Sequence, residues 1–550
     1  MRTMQWTTKV SGLHLLLCAA LVASAACSSE NTSGNAGAFG MTDVGGGLGG
    51  GAGDWNSGGA DSSAGADAGG GSGLPPEQEK EVDFGAPEGS PNFVYVPVKD
   101  ADNIVKVAGS SLDVTLIEVG DRPTVVKAVP GEDAVLVISS GTDELAIVRS
   151  AAGQDDTVTL VPILPHCNAI AVSPDGEWAT VWYDHARAGK GDPVGSFQAV
   201  TLVPLTEAAP APRTLSVGFR PRQVQFTADG KQALVVTDDG VSRVDLATAT
   251  DGAIVPPVAI DPNPLNKPAD REVQTTPDGR WALVRQSGLA GLYAIYLPTG
   301  ALVEVKMSSV PTDLDLDPSG TMALAVLRES AEVAIVPLPE AATPTLPVDK
   351  LSVAPLVAGL ASITDDGKTA ILYSSVAGVE SVAALDLPTR KLVAVPLRKT
   401  VDYVWLAAGS RTAVLVHKPA DGPLHSVDET EAFVDDSQGY TLFDLDTGYT
   451  KLVLTTAAPG GIAASAEPKR AWILLPDPAD QDHRVQAVTL SNLLVQELTL
   501  PSRPEYVRPL DAAGVVAVSQ QHPTGRMTFF DAADGSAKTV TGFELNGLVK

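Results

Sequence analysis

From Phe93 to the C-terminus the chain alternates short apolar runs with clusters of Gly, Asp, Asn, Ser and Pro. The sharpest instance is 172–184, VSPDGEWATVWYD, where one alternating run enters a Pro-Asp-Gly turn and a second leaves it. Period-two alternation on both sides of a tight glycine turn predicts a β-hairpin. Looser copies follow as FTADGKQALVV, TTPDGRWALV, LDPSGTMALAV and ITDDGKTAIL. The glycine that closes each turn falls at Gly131, Gly176, Gly230, Gly279, Gly320, Gly367 and Gly409; Lys469 takes its place in the next copy, and Gly514 closes the last. The mean period is about 48 residues, within the range of fixed repeats that build propellers and solenoids.

Each unit has a readable grammar. Strand A enters from phrases such as Arg220-Pro221-Arg222 or Arg503-Pro504 and ends at the glycine turn, and strand B follows. A loop leads to strand C, which closes in a second hairpin at LPTG (297–300), DLDTG (444–448) or DAADG (531–535), and strand D returns to the next unit. Four antiparallel strands per unit form a propeller blade. The expected fold is therefore all-β: a β-propeller over 91–550, with nine A–B hairpins and a first unit that starts at strand B, so nine to ten units in all. The missing strand would come from the C-terminal FELNGLVK or from the segment near 80–88.

Residues 93–119, FVYVPVKDADNIVKVAGSSLDVTLIEV, open on Tyr95-Val96 and pass through an Asn-containing turn to a second Val-rich strand. This unit resembles the YVTN family of β-propeller repeats, with Pro97-Val98 in place of the Thr-Asn of the family name. The later hairpins are similar to the same family and to the wider WD40-like class. The resemblance implies architecture, since such repeats serve many unrelated functions.

Ahead of the repeats, Arg2 and Lys9 precede an apolar run from Leu13 to Ala23, then Ser24-Ala25-Ala26 and Cys27. This is a secretory leader over 1–27, its apolar run too short for a membrane span. Small residues directly before a cysteine resemble the lipobox of bacterial lipoproteins, with Ser24 where that motif usually has Leu. The resemblance implies acylation of Cys27, and Ser28 after it implies the outer membrane. The competing reading, cleavage after Ala26, leaves Cys27 as a free thiol. Residues 28–80 are rich in Gly, Ser and Ala, including GGGLGGGAGDW at 45–55. Such a composition cannot bury enough apolar surface to order itself, so a disordered tether is expected.

Charge narrows the partners. The formal net charge of −28 excludes a polyanion such as nucleic acid as the main ligand, leaving the membrane through the N-terminal lipid and an envelope protein or glycan. Of three cysteines, Cys18 and Cys27 lie in the leader, so Cys167 has no partner for an intrachain disulfide. Adjacent His166 and Cys167 point to opposite faces of a strand and make no catalytic pair.

Candidate chemistry gathers in the connections after strand B, which are lengthened at 184–195, 418–439, 476–483 and 520–525. In a propeller these connections share one face with the D–A connections. Asp184, His185, Asp238, Asp239, Glu329, His417, His425, Asp477, His483 and His522 are the candidate binding residues on that face. No His-x-His, HExxH or Cys-x-x-Cys spacing and no Gly-x-Ser-x-Gly elbow occurs, so neither a metal ligand set nor a catalytic residue is assigned, and no cofactor is expected. The acidic run Asp428-Glu429, Glu431, Asp435-Asp436 does not follow EF-hand spacing and reads as a solvated loop. The leading expectation is a binding module for a protein or glycan. A lactonase-like hydrolase with an axial site, implied by the YVTN resemblance, and a structural envelope assembly factor are the alternatives.

Overall fold

The computed structural model describes residues 87–99, 102–263, 271–417, 429–522 and 524–543. The leader, Cys27, the Gly-rich segment and His425 lie outside the described residues. Those described form forty strands in ten four-stranded sheets, each an antiparallel meander of consecutive strands. In numbers, the blades are 88–118, 123–162, 169–216, 221–259, 271–306, 313–352, 360–396, 401–455, 462–499 and 504–541. The fold is a ten-bladed β-propeller.

Burial explains the order of strands within a blade. Strands B and C are covered on both faces and are almost continuously apolar, as in Ala134–Ser139, in which every residue is buried, and Glu332–Pro337. Outer strands such as Lys391–Pro396 have only exposed and half-buried positions. Val, Ala and Leu fill the interfaces between blades, where a narrow gap between twisted sheets suits small and branched side chains. Some of the larger rings are anchored by a hydrogen bond: Trp281 Nε1 donates to the Pro339 carbonyl at 2.7 Å.

The glycine turns form as the repeat predicts. Gly131, Gly176, Gly230, Gly279, Gly320, Gly367, Gly409 and Gly514 all have φ between 63° and 73°, a region that disfavours residues with a Cβ.

The first blade is completed from the segment near 80–88, one of the two expected sources: Glu88–Gly89 pairs with Val94 and Tyr95 as its strand A, which makes ten full blades, the upper end of the expected nine to ten. Two expectations are corrected. The lengthened connections are not confined to one face. The C–D connections 205–212, 246–256 and 338–348 are long too, and a meander places them at the opposite end from the B–C connections. Within 418–439, the acidic run is in part helical, α1 (Glu429–Asp436), with Asp435 buried.

Candidate functional site

Neighbouring inner strands of packed sheets lie roughly 8–10 Å apart, so ten of them enclose an opening on the order of 25–30 Å between opposite backbones. Side chains on opposite blades cannot meet across such a gap. A site must therefore be built by adjacent blades.

Of the candidates, Asp184 and His185 on blade 3 and Asp238 and Asp239 on blade 4 are brought together. They flank the connection 217–220, which carries Phe219 and Arg220 from one blade to the next. His185 lies against Phe197 with ring centroids 5.6 Å apart, and Phe197 against Phe219 at 5.8 Å with planes inclined by 32°. Tyr183, buried beneath, meets Phe197 edge-on at 5.8 Å. The Arg220 guanidinium sits 5.7 Å from the Phe197 centroid and 5.2 Å from that of Phe219, within cation–π range.

The backbone is pinned beneath this cluster. Arg220 has φ 53° although a proline follows, a combination that a free chain avoids. It is over-determined by hydrogen bonds. Arg220 N–H donates to the Phe197 carbonyl (2.7 Å), Phe219 N–H to Asp239 Oδ2 (2.8 Å), and Asp238 N–H to the Phe219 carbonyl (2.8 Å). Arg222 is the extra residue of a bulge between Pro221 and Gln223, and its Nε donates to Asp238 Oδ1 at 2.5 Å. A bulge re-aims the side chain it carries, here toward Asp238. Asp184, buried, takes Arg187 Nε at 3.2 Å and the Ala186 N–H at 2.9 Å.

The other candidates are dispersed. Glu329 is exposed in a short turn of blade 6. His417, on blade 8, is 2 % exposed and closed at both ring nitrogens, Nδ1 at 2.9 Å from the Thr400 carbonyl and Nε2 at 2.7 Å from Thr441 Oγ1. Burial lowers its pKa to about 4, so it is a neutral core residue rather than a loop-face ligand. Beside it, Lys399 Nζ donates to the carbonyls of Val434 and Asp435 at the end of α1 (2.5 and 2.9 Å), clamping the insertion onto the blade. Asp477 accepts the N–H groups of Ala479, Gln481 and Asp482, and His483 accepts the Asp477 N–H while meeting Asp480 at 2.7 Å. This pair organises its own loop on blade 9. His522 Nδ1 accepts the Thr524 N–H at 3.2 Å, a local turn on blade 10. Cys167 is buried and its thiol is pushed up to about 12, which leaves it unreactive.

A second cluster lies on the inner strands of blades 5 and 6, and nothing in the residue pattern had singled it out. Asp313, 2 % exposed, accepts the Ala361 N–H of blade 7 at 2.7 Å. Asp315 Oδ2 is shielded from solvent with no hydrogen-bond partner among the described residues. Glu272 is paired with Arg285 at 2.7 Å and accepts Gln274 Nε2 at 2.9 Å. Burial first, and then the charge of Glu272, raises Asp313 to about 7; burial and the charges of Asp313 and Glu272 raise Asp315 well above its ordinary value. The signal was the alternation Asp313-Leu314-Asp315, which puts two carboxylates on one side of an inner strand. Among the described residues, no three His, Cys, Asp or Glu side chains gather so as to hold a metal ion.

The strand order defines the class, a ten-bladed propeller. No protein-family profile matches the chain, and no curated protein matches it either. Similar solved structures include a crystal structure of a eukaryotic initiation factor, 11 % identical, covering 74 % of this chain and 98 % of that one at a TM-score of 0.45. They also include the dihydro-heme d1 dehydrogenase NirN in complex with DHE, 16 % identical over 64 % of this chain and 74 % of that one, TM-score 0.38. The β-propeller domain of Myceliophteria thermophila Cps50 (Swd1) is 14 % identical over 56 % and 96 %, TM-score 0.31.

Proposed function

We propose that the chain is a lipid-anchored envelope propeller that binds a protein or glycan partner on the face formed by its B–C and D–A connections. The observation that carries this reading is the ring and guanidinium cluster of His185, Phe197, Phe219 and Arg220, held rigidly by backbone hydrogen bonds at the junction of two blades. Rigid aromatic and arginine side chains give contact area at low ordering cost, which is what a binding surface needs. The dispersal of the remaining histidines over separate blades and the wide axial opening favour binding over axial hydrolysis.

The anchor rests on the leader pattern ending at Cys27. Acyl chains hold because each buried methylene contributes about 0.8 kcal/mol, and two signals are needed for stable attachment. The test is a fractionation with capture. Wild-type chain is expected in the membrane fraction and Cys27→Ala in the soluble fraction, and the full chain immobilised on beads should retain an envelope component that a Phe219→Ala, Arg220→Ala double variant releases. Equal membrane partition of Cys27→Ala would remove the anchor, and equal retention by the double variant would move binding to another surface.

A further inference from the structure

We infer that the platform at the junction of blades 3 and 4 takes a neutral oligosaccharide, seated against Phe219 and His185 and hydrogen-bonded by Arg220. This inference names the ligand class of the binding reading above and rests on it.

The first argument is size. Phe219 is 37 % exposed and Val194 59 %, and the junction's other exposed large apolar side chain is Ile254, whose backbone bridges Ser216. A stable protein interface buries on the order of 800 Å² per partner, far more than three side chains supply. One aromatic ring is instead the size of one sugar ring, and the centroid spacings of 5.6 and 5.8 Å keep successive rings about a sugar's width apart.

Charge gives the second argument. The arginines of the junction each face an acid, Arg187 with Asp184 at 3.2 Å, Arg222 with Asp238 at 2.5 Å, Arg220 with Asp238 at 3.8 Å, and Arg271 with Asp261 at 3.4 Å, and Lys190 of the 184–195 connection is matched in number by Asp192 of the same connection. The platform therefore offers no net field to draw in a polyanion or a cation. What it offers is hydrogen-bonding geometry without net charge, which suits hydroxyl groups.

The third argument is unspent donor capacity. The 3.8 Å approach of Arg220 Nη1 to Asp238 is longer than a hydrogen bond, so that nitrogen is not spent on the carboxylate. A guanidinium carries five donors in a fixed fork, and here the fork is held in place by two rings while its outer end reaches solvent at 40 % exposure. Because backbone hydrogen bonds already fix Phe219 and Arg220, binding orders little that is not ordered beforehand.

The test is calorimetric titration of the purified full chain with maltohexaose, cellohexaose and chitohexaose, with hexagalacturonate as the anionic comparison. Saturable heat with at least one neutral hexasaccharide is expected, with Phe219→Ala weakening it tenfold or more and Arg220→Gln likewise, both variants keeping the wild-type thermal midpoint within a few degrees. If either variant shifts that midpoint further, His185→Ala, at an exposed position outside the pinned turn, replaces it and must weaken binding by at least threefold. The inference is overturned if no neutral hexasaccharide gives heat, if hexagalacturonate binds more tightly than all three, or if the variants bind like wild type. Retention of an envelope protein on the beads while all four sugars stay silent would overturn the ligand class and leave the binding reading standing.

Discussion

At the scale of single residues, the A–B turns share a hydrogen-bond device beyond the glycine. Ser173, Thr227, Thr276 and Thr364 stand two positions before an Asp, and each hydroxyl donates to that carboxylate at 2.5–2.7 Å. The same hydroxyl oxygen accepts the N–H five residues on, at 2.9–3.1 Å, while the Asp accepts the N–H two residues after itself. The Thr227 hydroxyl is the main reason that Asp229 ionises below its ordinary range. In blade 6 the two side chains trade places. Asp317 accepts the Met322 N–H at 2.5 Å, and Ser319 donates its hydroxyl to Asp317. The geometry needs one hydroxyl and one carboxylate two residues apart, and either order supplies them. Asp317→Ser alone should therefore cost about 1 kcal/mol, the size of a lost hydrogen bond, whereas Asp317→Ser with Ser319→Asp restores the order of the other blades. Chemical denaturation of both variants checks this; a double variant no better than the single would show that position, not pairing, decides the turn.

At the scale of elements, the inner strand Asp313–Leu316 departs from the rule that propeller cores are apolar. Two carboxylates and Glu272 share one guanidinium, Arg285, so the full set of charges cannot be neutralised by pairing. The folded pKa values of Asp313 and Asp315 are raised, so the contribution of these two to stability is complete below the unfolded value near 4 and is lost as pH rises, through about 7 for Asp313. His417 acts in the opposite sense. Its folded value is depressed to about 4, so its contribution is complete above about 6.5 and is lost as pH falls toward 4. Between pH 7.5 and 8.5 His417 is almost wholly neutral in both states, which isolates the carboxylates. Urea midpoints should fall across that range for wild type and fall less for Asp315→Asn, which should be the more stable protein at pH 8.5; equal slopes would mean that the pair is fully ionised in the folded state. The same elements show what a pattern can and cannot tell. The hairpins were legible because each glycine turn is a local event, and the loop-face residues Asp184, His185, Asp238 and Asp239 because topology alone sends B–C connections to one end. Phe219 and Arg220 were passed over because their connection is short, and their contact with Phe197 is made between blades. His417 was misplaced because the last residue of a strand can turn into the sheet as readily as out of it.

At the scale of the molecule, the ring is a chain of nearest-neighbour interfaces whose first and last members must also meet. Covalent continuity joins the other blades, but blades 1 and 10 are held by contact alone. Val94, Val105 and Val107 pack there against Leu510, Ala517, Met527 and Phe529. The Pro91 carbonyl accepts the N–H groups of Ala512 and Ala513 at 3.0 and 3.2 Å. Glu88 stands at the centre of the joint. It accepts the Ala128 N–H at 3.2 Å, lies 3.6 Å from Lys127 on blade 2, and lies 3.5 Å from Arg508 on blade 10. Both partners of the Glu88–Arg508 pair are largely sheltered, with side-chain exposures of 17 % and 15 %, so the contact is screened less than a surface pair and its loss leaves a sheltered guanidinium with less compensation. Glu88→Ala should lower stability by about 1–3 kcal/mol, the range for losing a charged hydrogen-bonding partner. The loss should be local in its first expression. Amide exchange should quicken in 88–118 and 504–541 before it changes in 271–396, because opening the joint frees the two end blades while the middle ones keep both neighbours. Uniform quickening around the ring would mean that the propeller opens as one unit and that Glu88 is not the joint on which closure depends.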